Sequence, residues 1–448
     1  MLMEVKVKNI LLIILLVATV SCQQAPNYSQ TVPSFGTPII ISATPTILAL
    51  PTSKPTVPKE ITPSFNPTFV LQNRELQNHL SESCILIKTG IPHDETLNAA
   101  FVLYDRLERI SYVQTLANEK KLVLENANRN FVEVSPDWQW VAYLTAIKPG
   151  QRQSQLIVQS FDGKVQKKID SNIIGNVKAI AGWLNDQYIV LELKGNENTA
   201  RLTAVNPFTS EQKNLPTDFP NIYNNDPWSW GAWGRTLYSP DYRYVIYPST
   251  DRENGQAIDV LWDMNSHKKI TAITVGITGN LLEAPQWDPG AKMFAVEVAG
   301  GNVDDLYSAN VDGDGTITEL TNILNLFPNV TTQINGWSWS PDSRSIAFWL
   351  DIYQDNSLDN LSQERLLVLN VETGNIVDYC VQADSIQVPI TSRLRGPMPI
   401  WSPNGKFLLV ENWQSKNQSQ LIIIDISKNI GYEVAKDVYP FGWMVSDK

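Results

Sequence analysis

Histidine is nearly missing from this chain: His79, His93 and His267 are the only three, far apart and without metal-ligand spacing. Cysteine is as scarce, with Cys22, Cys84 and Cys380 alone. Together these absences exclude a zinc cluster and a disulfide framework. The chain also lacks a His-Glu-x-x-His helix, a Gly-x-Ser-x-Gly elbow and a Gly-x-x-x-x-Gly-Lys phosphate loop. Paired carboxylates would still suffice for glycoside chemistry, so that reading stays open. Positive charge is short too, with 35 Lys and Arg against 46 Asp and Glu, a net of -11. An acidic surface repels phosphate backbones and argues against nucleic acid as a partner. The wholly apolar run Ile10 to Ala18 is far below the ~20 residues that cross a bilayer.

What that run does fit is a leader. Lys6 and Lys8 precede it and small residues follow, the pattern of a signal peptide. It ends at Thr19-Val20-Ser21-Cys22, which resembles the lipobox of bacterial lipoproteins, with Thr19 where leucine is usual. The resemblance implies a leader over 1–21 and a lipid on Cys22, hence an extracytoplasmic, lipid-anchored protein. Plain secretion and an uncleaved anchor are the alternatives. Prolines then recur through residues 22–68, separated mainly by Thr and Ser. Such spacing blocks helix and sheet pairing and predicts a disordered Pro/Thr-rich stalk, reaching up to roughly 100 Å. Residues 69–448 form the folded part. Phe69 to Leu80 reads as its one helix, with Phe69, Leu76 and Leu80 near one face.

The rest of the chain is organised around Gly336 to Leu350, a strand, a Ser-Pro-Asp turn and a second strand. After the turn, Ile346, Phe348 and Leu350 alternate with Ala347 and Trp349, so both faces of that strand are apolar and need cover. Variants recur at Val134, Tyr238, Trp287 and Trp401, with a worn copy at Trp183, at a period of roughly 40 to 60 residues. One unit cannot bury two faces alone, and an all-strand repeat predicts an all-β propeller. A second turn family follows Tyr104, Phe161, Val205, Trp262, Val311, Val371 and Ile424, taken as the link between third and fourth strands. It counts seven four-stranded blades, with six as the alternative. The earliest blade, from Cys84 to Leu116, has no first strand in front of it, while Tyr439 to Val445 is a first strand with no blade behind it. The reconciliation is closure by the C-terminal strand. Lys121 to Glu125 is left without a place.

Trp339-Ser-Pro-Asp-Ser-Arg-Ser-Ile346 and Trp401-Ser-Pro-Asn-Gly-Lys-Phe-Leu408 resemble the repeats of TolB-like propellers. The likeness covers roughly Ser81 to the C-terminus. It implies a periplasmic docking module without catalysis.

Three candidate sites were weighed. The repeated Trp183, Trp287, Trp339, Trp401 and Trp443 read as spacers between blades and not as a sugar-binding stripe. Asn310, Asp312 and Asp314 match the opening of a calcium loop, but Thr321 stands where the bidentate glutamate belongs, and a turn is wanted there anyway. No cofactor is therefore expected, with calcium as the alternative. The longer connections fall on one face of the disc. They carry Tyr223, Asp226, Trp228, Trp230, Trp233, Tyr353, Arg393 and Arg395 as candidate partner-binding residues. The resulting expectation is a monomeric scaffold that binds a protein or peptide of the cell envelope, the alternative being a carbohydrate-binding or carbohydrate-acting propeller. Cys84 and Cys380 read as two buried thiols, the alternative being a disulfide in an oxidising compartment.

Overall fold

The computed structural model describes residues 78–445, except 91, 93–98, 117–120, 146–154, 170–176, 185, 195–199, 216–237, 251–256, 274–285, 300–303, 312–316, 354–360, 384–397 and 416–417. The leader, Cys22, the stalk and the first part of the expected helix lie outside the described residues.

The first described elements are strands, β1 (His79–Glu82) and β2 (Leu86–Thr89). His79 and Leu80, placed in a helix by the sequence, are therefore extended. Their backbone pairs in parallel with Asn375–Asp378, and that ladder outweighs the weak helical spacing.

Next come β3 (Ala99–Asp105), β4 (Ile110–Thr115) and β5 (Lys121–Leu124), which with the last strand of the chain form one sheet. The second sheet holds β6 (Ala127–Val134), β7 (Trp140–Thr145), β8 (Leu156–Ser160) and β9 (Gln166–Ile169). The third holds β10 (Val177–Leu184), β11 (Tyr188–Lys194), β12 (Ala200–Val205) and β13 (Gln212–Asn214). In the fourth, Tyr238 bridges to Val245 ahead of β14 (Tyr244–Thr250), β15 (Ala257–Asp263) and β16 (Lys268–Ile273).

The fifth contains β17 (Gln286–Trp287), β18 (Met293–Ala299), β19 (Asp304–Asn310) and β20 (Ile317–Glu319). After it comes a single-turn helix, α1 (Ile323–Leu326), capped by the Asn322 side chain. The sixth contains β21 (Thr331–Trp339), β22 (Ser345–Tyr353), β23 (Leu361–Asn370) and β24 (Asn375–Ala383). The seventh contains β25 (Ile400–Trp401), β26 (Phe407–Ser415), β27 (Gln418–Asp425) and β28 (Ile430–Lys436). Asp437 alone separates β28 from β29 (Val438–Val445), which pairs antiparallel with β3. The C-terminal strand thus opens the first blade, as the orphan first strand required.

Seven sheets leave seven gaps only if the ring is closed, and each gap holds one apolar cluster. The two-faced strand explains how. Ile346, Phe348 and Leu350 face the fifth blade, while Ala347 and Trp349 face the seventh. Trp183, Trp287, Trp339, Trp401 and Trp443 are all at most 9% exposed, so they are spacers. Three of them also donate to the first strand of the preceding blade: Trp339 Nε1 to Gln286 O (3.0 Å), Trp401 to Ser338 O (3.1 Å) and Trp443 to Ile400 O (3.1 Å).

Two expectations about the first blade are corrected. Lys121–Leu124 is its fourth strand, so the turn after Asp105 joins second to third strand instead of third to fourth. Cys84 belongs to no blade. It lies between β1 and β2, which add a fifth, parallel strand to the sixth and seventh sheets. There it is disulfide-bonded to Cys380, with Cα atoms 4.7 Å apart, in place of the two free thiols the sequence favoured.

The Ser-Pro turns saturate their own polar groups. Ser340 Oγ donates to Asp342 Oδ1 (2.6 Å) and accepts from Ser345 N (2.9 Å). Ser239 with Asp241 and Ser402 with Asn404 repeat the pattern, and Asp288 takes the serine's place in the fifth blade. One residue of each turn is left-handed: Trp138, Tyr242, Ala291 and Ser343 at φ between 55 and 60, and Gly405 at 67.

Two outcomes follow. Deleting residues 438–448 removes the first strand of the first blade and should abolish the cooperative melt of the whole ring, read by circular dichroism. A deletion variant that melts like the intact chain would contradict closure. The Ser340 hydrogen bond holds the Asp342 carboxyl below the usual range. Its stabilising effect is full above the unfolded value of ~3.9 and is lost as pH falls through the folded one. Ser340→Ala should therefore flatten the fall in urea midpoint between about pH 5 and pH 3.

Candidate functional site

Strand direction decides which face carries what. First strands run toward the Ser-Pro turns and second strands run away from them, so connections from second to third strands and between blades share the opposite face. The strands either side of 354–360 end and begin at that face, and the strands that precede 216–237 and 384–397 end at it. Tyr223, Asp226, Trp228, Trp230, Trp233, Arg393 and Arg395 fall on these segments and lie outside the described residues.

Tyr353 is described, at the end of β22, and is 3% exposed. Its hydroxyl sits 3.1 Å from Gln333 Oε1 and 3.2 Å from Asp351 Oδ2, so the ring is turned into the sixth blade and offers no open surface. Asn310 ends β19 and is exposed; Asp312 and Asp314 lie outside the described residues. Among the described residues no three acidic, histidine or cysteine side chains gather as a metal site.

What the sequence reading missed on this face is an ion pair at the seam of the ring. Because β3 is a second strand, the turn after Asp105 lifts Arg106 to the long-connection face. There its guanidinium forks onto both carboxylate oxygens of Glu411, with Nη2 2.8 Å from Oε2, and Nη1 also donates to Ser419 Oγ (2.9 Å). Glu411 is fully buried and Arg106 is 29% exposed. Ser419 N donates to Asp437 Oδ1 (3.0 Å), and Arg106 N donates to Asp437 O (3.2 Å). The signal was present as a charge interrupting Leu408-Leu409-Val410, at the repeat position where the sixth blade has Trp349.

Two other buried carboxylates, Asp378 and Asp425, are likewise tied up. Asp378 accepts from Cys380 N (2.7 Å) and from Arg365 (2.9 Å), with burial pushing its pKa up. Asp425 is held by Ser427 (2.7 Å) and Lys428 (2.7 Å). A general acid or base needs a carboxyl free to face a substrate. These face their own blades.

The sheets, their order and the seven shared cores define a seven-bladed β-propeller. No protein-family model matches the chain, and no curated protein matches it. Solved structures similar to it include TolB from Acinetobacter baumannii, at 13% identity and TM-score 0.39 over 74% of this chain and 79% of that one. An oligogalacturonate lyase from Vibrio parahaemolyticus aligns at 9% identity and TM-score 0.45, over 76% and 85%. A 6-phosphogluconolactonase-like protein from Bacteroides uniformis aligns at 12% and 0.41, over 77% and 98%. Two of these three carry enzyme names, and at such identities the likeness decides nothing about activity here.

Removing Arg106 should leave a buried, unpaired carboxylate. Arg106→Met is expected to cost about 3 kcal/mol in urea unfolding, with most of it recovered in the Arg106→Met/Glu411→Met double variant. Additive losses would show that the fork is not the source.

Proposed function

We propose that the chain is an extracytoplasmic, non-catalytic scaffold that binds a protein or peptide on its long-connection face. One observation carries this reading: the two faces are built differently. On the Ser-Pro face the turns are short and bond their own serine, aspartate and backbone groups. The strands that lead into 216–237 and 384–397 end at the opposite face, and in sequence these segments hold Trp228, Trp230, Trp233, Tyr223, Arg393 and Arg395. Aromatic and arginine side chains on a rigid scaffold are the chemistry of protein hot spots. The Cys84–Cys380 disulfide agrees with an oxidising compartment. A lipid on Cys22 would hold the propeller to a membrane by its stalk.

The tryptophans of 216–237 would also suit a sugar, so the test compares both ligands. Full-length protein and its Trp228→Ala/Trp230→Ala variant are put through quantitative capture from envelope extract and across a glycan array. We expect a saturable protein partner whose affinity drops at least tenfold in the variant, about 1.4 kcal/mol. Glycan binding abolished by the same pair of substitutions, without a protein partner, would replace this reading with the carbohydrate one.

A further inference from the structure

The seven blades are complete without residues 78–90, yet this segment is built into the structure. Asn78 pins its start, donating through Nδ2 to Leu320 O (3.2 Å) and Gly374 O (2.8 Å) and accepting from Asn322 N (2.7 Å). β1 then runs along the outer edge of β24, and β2 along the outer edge of β28. Between them Ser83 N donates to Asp378 O (2.8 Å) and Ile85 N to Tyr379 O (3.2 Å). Gly431 makes room for the crossing: a Cβ there would lie 2.8 Å from Ile85 Cδ1.

The two halves of this strap are held unequally. β1 has the Asn78 anchor, and Leu80 packs on the core between the fifth and sixth blades. β2 has all four residues exposed, Leu86 at 63% and Ile87 at 44%. Four exposed residues paired along one edge bury little apolar surface against the entropy of ordering them. At the near end of β2, Ile85 packs on the core between the sixth and seventh blades and Leu86 N donates to Asn429 O (3.3 Å), and the one covalent fastening is the disulfide. A bulge in β24 puts Cys380 at φ 54 and aims it outward at Cys84, which is itself exposed. The bond is therefore open to a solution thiol, and it does not lie on the path that closes the ring, which runs through β29 and β3.

We propose that Cys84–Cys380 is a redox-sensitive clasp: a dithiol reductant frees β2 from the seventh blade while the propeller stays folded. One thiolate of the reductant attacks a sulfur of the bridge and forms a mixed disulfide, releasing one protein thiolate. Its second thiolate displaces the other. Two electrons pass to the protein, the reductant leaves as a disulfide, and the two cysteines take up protons. The outer edge of Ile430–Glu433 then loses its fifth strand and its backbone is left to solvent.

Hydrogen exchange read by mass spectrometry on the full chain tests this, oxidised, reduced by dithiothreitol, and as Cys84→Ser. Free-thiol titration confirms that the bridge is open. Amides of Leu86–Thr89 and Ile430–Glu433 should exchange at least tenfold faster in both the reduced protein and the variant, with β3, β22 and β29 unchanged. Unchanged rates in fully reduced protein would mean that the strap holds without its clasp. Faster exchange throughout the ring would make the bridge a bolt of the whole fold. Either result overturns the proposal.

Discussion

The fold depends on a sheet that is apolar on both faces. No blade of this kind can exist alone, since each face needs another sheet about 10 Å away to exclude water. The tryptophan near the end of five of the seven first strands, at Trp183, Trp287, Trp339, Trp401 and Trp443, is where that need is met most directly. Its indole fills the gap to the preceding blade and, at Trp339, Trp401 and Trp443, also donates to a backbone carbonyl there. Trp183 fills its gap without an acceptor among the described residues, so shape alone suffices for that position. Repeating the interaction around the circle leaves no blade with an uncovered face. This is why the last strand has to return to the first sheet.

That return concentrates polar chemistry at the seam. β29 meets β3 without a covalent turn, and Gly442 comes so close to the second blade that a Cβ would lie 2.9 Å from Val134 Cγ2. The Arg106–Glu411 fork then crosses from the first blade to the seventh, with Ser419 and Asp437 completing the bonding around it. A buried ion pair adds little net stability over an apolar pair, but an unpaired member is costly.

Much of the architecture was legible because it is local. A Ser-Pro-Asp turn fixes its own hairpin through bonds that span five residues, as from Ser345 to Ser340, so each copy announces itself. Six such copies with the orphan strand Tyr439 to Val445 pointed to closure. The count of seven came from the second turn family, of which the turn after Asp105 proved to join second to third strand. Lys121–Leu124 was left without a place because the strand is short and three of its four residues keep contact with water. The end of the expected helix, at His79 and Leu80, is extended for the opposite reason. Its apolar spacing was real, but a partner strand almost three hundred residues away offered a parallel ladder. Tyr353 was misjudged because its position beside a loop says nothing about which way its ring turns.

By itself, then, the sequence determined the repeat, the two-faced strands and closure by the last strand, and favoured seven blades over six. All of these are written in spacings of a few residues. Tertiary structure alone decided that Cys84 meets Cys380, that His79–Thr89 straps the sixth and seventh blades, and that Arg106 finds Glu411. Each of those pairs residues hundreds of positions apart, and no periodicity records a contact that only ring closure creates.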